Sequence, residues 1–69
     1  MNFIKEAEEL LPQAIDLLKS LKEDGIDHVS VSILQRRLRK GYMVCAVVME
    51  KLEEQGYVSE FTNAGRRIK

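Results

Sequence analysis

Four cations crowd into five positions of the stretch QRRLRKGY: Arg36, Arg37, Arg39 and Lys40. Guanidinium forks and ammonium groups at that density suit one chemistry above others, the neutralisation of phosphate oxygens. Gln35 precedes them and Tyr42 follows, each able to hydrogen-bond to the same backbone. Gly41 signals a turn, and MVCAVVMEKLEEQ then reads as a further helix. A basic helix, a tight turn and a second helix is the order in which helix-turn-helix proteins enter the DNA major groove. Arg66, Arg67 and Lys69 form a second basic cluster, suited to gripping adjacent backbone or to plain solubility.

Other chemistries find little material. The chain has one cysteine and one histidine, too few for a structural zinc site built from those residues alone. No glycine loop cradles a phosphate, and no carboxylate pair comes with a partner. Cys45 reads as a small core residue and His28 as a surface residue. The expectation is a binding module, not an enzyme, with no metal, cofactor or small-molecule substrate.

Sixty-nine residues, 45% hydrophobic and 32% charged, fit a single small folded domain over 1–69. Such a core is modest, and a partner or a dimer could add to its stability. The lone cysteine rules out an internal disulfide, which favours a reducing cytoplasm. MNFIKEAEELL lacks a signal-peptide core, no stretch approaches a membrane span, and Met1 reads as a native start. The net charge is zero but unevenly spread. Residues 1–27 carry three lysines against seven carboxylates, a balance of −4; residues 28–69 carry eight cations against four, a balance of +4.

The elements that position these residues follow from spacing. A first helix is expected over about 11–23, with Pro12 at its first position and Ala14, Leu17, Leu18 and Leu21 as its apolar stripe. Residues 2–10 are helical too, in a leading helix that Pro12 separates. His28 to Val31 alternate as a short strand. Ser32 and Gln35 form a capping box for a second helix over 33–40, with Gly41 supplying the turn. The third helix is expected over 43–55. Residues 57–61 and 66–69 then form a hairpin around a turn at 62–65. The fold class is mainly α with a small β wing: a winged helix-turn-helix of three helices and a short β-hairpin.

The stretch VSVSILQRRLRKGY, followed by a helix carrying MEKLEEQGYVSE, resembles the C-terminal gamma domain of the FtsK/SpoIIIE DNA translocases. Ser30, Ser32, Gln35, Arg36, Arg39, Gly41, Tyr42, Ala46, Glu50, Glu53, Gly56 and Val58 match that family's pattern without gaps. With EELLPQAIDLL resembling its first helix, the likeness covers about 8–69. The resemblance implies a winged helix that reads short G-rich duplex sequences and orients a DNA-pumping motor. It also implies contact with a Xer recombinase. In the family the third helix reads bases through Asn, Arg and Glu at the positions of Met43, Val47 and Glu50. Here only Glu50 remains, and Val44 replaces a further Arg.

Two functions stay open on these residues. One is a double-stranded-DNA-binding module using Gln35, Arg36, Arg37, Arg39, Lys40, Tyr42, Met43, Val47, Glu50, Arg66 and Arg67. The other is a protein-interaction module or inhibitor, of phage or mobile-element type. It would offer Met43, Val44 and Val47 as an exposed apolar patch to a protein or a second copy. A third possibility is that part of this patch is core.

Overall fold

The computed structural model describes residues 2–61 and 65–69. Helix α1 spans Phe3–Glu23, strand β1 His28–Val29, helix α2 Val31–Leu38, helix α3 Tyr42–Glu54 and strand β2 Arg66–Arg67. Three helices with a small antiparallel sheet make a winged helix.

The leading helix expected over 2–10 and the main helix expected from residue 11 are one element, and α1 runs through Pro12 without a break. Asn2 caps it, its Oδ1 accepting the Lys5 backbone N–H at 3.0 Å. The apolar stripe explains the continuity: Ala7, Leu10, Ala14, Leu18 and Leu21 are all buried, on both sides of Pro12. A proline inside a helix costs about 3 kcal/mol. Burying Leu10 alone recovers about 1.5–3 kcal/mol. Pro12 and Glu8, whose carbonyl loses its helical partner, are both exposed, so water can satisfy that oxygen. The helix stops at a Schellman motif. Gly25 takes a φ of 83°, the Ile26 N–H donates to the Leu21 carbonyl and the Gly25 N–H to that of Lys22.

Helix α2 starts two residues before the expected position. Its cap is Ser30, not Ser32: the Ser30 Oγ accepts the Ile33 N–H at 3.2 Å. Its end also departs from expectation. Gly41 has an ordinary φ of −72° and serves as the N-cap of α3. The left-handed residue of the turn is Arg39, with φ 57° and ψ 46°. Leu34 is fully buried, while Ile33 and Leu38 pack against the core with part of their surface open. Helix α3 lies within one residue of its predicted limits. It closes on a second Schellman motif, with Gly56 at φ 83° and the Tyr57 N–H donating to the Leu52 carbonyl.

The wing is smaller than the predicted hairpin and wired differently. Strand β2 pairs antiparallel with β1, His28 opposite Arg67 and Val29 opposite Arg66. The segment expected as a strand over 57–61 contributes only one bridge, Val58 to Ile68. Bonds from the Ser59 N–H to the Arg67 carbonyl and from the Lys69 N–H to that of Tyr57 flank it. Serine chemistry ends the ladder there: the Arg67 N–H donates to the Ser59 Oγ at 2.9 Å, and the Arg66 guanidinium takes the Ser59 carbonyl at 3.2 Å. Of the expected turn at 62–65, only Gly65 falls within the described residues, at φ 91°.

The core is one cluster shared by the three helices and the sheet. Val29, Val58 and Ile68 from the wing meet Leu18, Leu21, Leu34, Val48, Met49 and Leu52 from the helices.

Candidate nucleic-acid interface

Helix α3 turns about 100° per residue, so its buried side chains define its phase. Val44, Cys45, Val48, Met49 and Leu52 are buried. Met43, Glu50 and Glu54 lie opposite this arc and are exposed. Val44 therefore leaves the proposed apolar patch: at 5% exposed it is core. The sequence pattern placed it outside because five apolar residues from Met43 to Val48 surround the alanine, and a run apolar on every side does not fix rotation. Val47 is half-buried on the flank facing α1, where it shares a cleft of about 230 Å³ with Ile4, Glu50, Lys51 and Glu54. Met43 keeps 55% of its surface, and Ile4, which sequence reasoning passed over, keeps 59%.

The cations fall into two sets. Lys40 pairs with Glu6 at 3.2 Å and Lys51 with Glu8 at 3.6 Å, both contacts reaching back to α1. Arg66 pairs with Glu53 near the end of α3, and its side chain is only 16% exposed. Arg66 is thus a strut between wing and helix. Arg36, Arg37 and Arg39 have no carboxylate partner among the described residues, and all three are exposed. Arg67 and Lys69 are likewise exposed and without an ion pair there. Gln35 is half-buried on α2. The predicted basic set therefore divides: Arg36, Arg37, Arg39 and Arg67 are open to a ligand, while Lys40 and Arg66 already hold a carboxylate.

A groove of about 210 Å³ separates the wing from the N-terminal ends of α2 and α3. Ser30, Ser32, Tyr42, Phe61, Gly65 and Arg66 line it. It brings Tyr42 beside two serine hydroxyls and the most exposed large apolar side chain among the described residues, Phe61 at 74%. Ser30, Ser32 and Phe61 were not among the predicted site residues. The signal available for the serines was their place before a helix; for Phe61 the sequence offers none beyond an aromatic in a presumed strand.

Cys45 is completely buried, with its Sγ 3.8 Å from the Lys40 carbonyl oxygen. Burial pushes its thiol pKa up, and the nearby Glu6 carboxylate adds to this. A group held as a neutral thiol in the core is no nucleophile. Among the described residues no cluster of His, Cys, Asp or Glu could hold a metal ion, and no helix is long and apolar enough to cross a membrane.

The family model of the FtsK gamma domain matches residues 5–68, nearly the whole chain. The chain belongs to the FtsK gamma domain family. Among curated relatives, DNA translocase FtsK of Leptospira interrogans is 42% identical over 62 residues, covering 88% of this chain and 6% of that protein. DNA translocase FtsK of Clostridium tetani is 38% identical over 56 residues, covering 81% of this chain and 7% of the relative. The same-named protein of Caldanaerobacter subterraneus subsp. tengcongensis is 36% identical over 66 residues, covering 96% and 9%. This gamma-domain chain thus spans less than a tenth of the length of these relatives. No solved structure matches it.

Proposed function

We propose that this chain is a double-stranded-DNA-binding module that uses the winged helix as a single domain over residues 1–69. Helix α2, the Arg39 turn, the outward face of α3 and the wing contact the duplex. The observation that carries this reading is the set of three arginines, Arg36, Arg37 and Arg39, exposed and without a carboxylate partner beside the helix-turn-helix turn. Arg39 adds weight, because a non-glycine residue in the left-handed region costs about 1–2 kcal/mol. Strain of that kind collects where function requires a particular side chain. Lys40 joins on contact: its exposed pair with Glu6 is worth about 0–1 kcal/mol and exchanges readily for a phosphate. Arg67 approaches from the wing, and Gln35 and Tyr42 add hydrogen bonds. The bound state needs no cofactor or metal, and the reducing cytoplasm, where duplex DNA is at hand, is its setting. Translocation belongs to the relatives' names; the part proposed for this chain is contact with DNA.

The test is the salt dependence of duplex binding. Each phosphate neutralised contributes about −0.9 to the slope of log K against log salt. Replacing Arg36, Arg37 and Arg39 with alanine is expected to reduce that slope by up to about 3. An unchanged slope removes the arginines from the interface.

A second reading has its own observation. Half-buried Val47 shares a cleft with the exposed Ile4, and exposed Met43 lies one turn before Val47 on α3, an apolar surface that would suit a protein partner or a second copy. Val44 takes no part in it. If the patch is a dimer seam, Met43→Lys with Val47→Glu abolishes self-association in sedimentation; an unchanged profile refutes that seam.

A further inference from the structure

The outward face of α3 is unusual in what it lacks. Met43, Ala46, Val47, Glu50 and Glu54 supply no side-chain hydrogen-bond donor. Of the cations beside this face, Lys51 pairs with Glu8 and Arg66 with Glu53, while Lys40 and Arg39 lie in the turn ahead of α3, where they serve phosphates and not base edges. Guanine presents two acceptors in the major groove and needs donors opposite it. Thymine presents a C5-methyl group, and cytosine an N4 amino donor. The face thus fits two base edges and refuses a third.

Resting on the DNA-binding reading above, we propose that α3 selects thymine methyls through Met43 and Val47 and a cytosine amino group through Glu50, and discriminates against guanine beneath the two apolar residues. The spacing is consistent with a compact site. At about 1.5 Å rise per residue, Met43 to Glu50 spans roughly 10 Å, or about three base-pair steps of 3.4 Å. Met43 stands in the first turn of α3, the end from which helix-turn-helix proteins contact base edges. Val47 is half-buried against α1, which restricts its motion and presents a fixed methyl surface. Glu54 lies in the last turn, farthest from the groove floor.

The experiment selects duplexes from a randomised pool with the full chain, then measures affinity for the recovered sequence with each thymine replaced by deoxyuridine. That replacement removes one methyl and nothing else. The expected loss is about three- to fivefold at each contacted thymine. Met43→Ala, at an exposed position that folding does not depend on, should remove the sensitivity at one thymine. Val47→Ala should remove it at another. Binding that is salt-sensitive but indifferent to deoxyuridine overturns this inference and leaves the DNA-binding reading intact. Enrichment of a guanine-only motif overturns it too. No duplex binding at low salt overturns the DNA-binding reading, and this inference falls with it.

Discussion

At the residue scale, two neighbours on α3 carry opposite duties. Val44 is core and Met43 is surface, one position apart. Val44→Ala is expected to destabilise the fold by about 1–3 kcal/mol, through lost burial and the cavity left behind. Met43→Ala should stay within about 0.5 kcal/mol. Chemical denaturation of both variants checks the phase of the helix directly. Cys45 makes a prediction about pH. Its folded pKa is raised, so folding retains the proton there. That contribution is fully present below the unfolded thiol pKa of about 8.5 and is lost as pH rises toward the folded value. Thermal melts of the wild type and Cys45→Ala, run between pH 7 and pH 10, should show the variant gaining relative to the wild type as pH rises. A constant gap would mean that the thiol titrates alike in both states.

At the element scale, the turn between α2 and α3 allows stability and the proposed duplex binding to be tested apart. Arg39 holds the left-handed position that glycine would occupy without strain, while Gly41 sits at an ordinary φ with open space around it. Arg39→Gly is expected to raise stability by about 1 kcal/mol and to weaken duplex binding. Paired denaturation and anisotropy titrations would reveal both effects; a variant that is more stable and binds equally well would show that the arginine contacts no phosphate. The turn was legible in the sequence as a turn, but its glycine drew attention to the wrong residue. Ser32 misled in the same way: Gln35 completes a capping box with it, whereas Ser30 is an equally suitable N-cap residue without that partner and lies where β1 ends. Composition names the residues able to cap or turn; strand pairing and packing decide which of them does.

At the scale of the whole molecule, the acidic first helix and the basic remainder are held together across their boundary. Glu6 reaches Lys40 and Glu8 reaches Lys51. The dipole seen in the sequence is therefore partly neutralised inside the fold. Glu6→Gln should release Lys40 and increase duplex affinity, while changing stability by less than about 1 kcal/mol because the pair is exposed. Binding measured at two salt concentrations tests it: a gain at low salt that shrinks at high salt is expected, and no gain would mean that Lys40 lies away from the phosphates.

The sequence by itself determined the class of fold, the family, the three helices, the glycine stops at Gly25 and Gly56 and the location of the basic turn. These are local properties, written in period, composition and motif spacing. Tertiary structure alone decided that α1 runs through Pro12, that Val44 is core, that β2 pairs with β1 and that Lys40 and Arg66 are already occupied. Each of these turns on contacts between segments distant in the chain. Burial on both sides of Pro12 outweighs a proline's local cost, and a uniformly apolar stretch has no phase until a neighbouring helix packs against it.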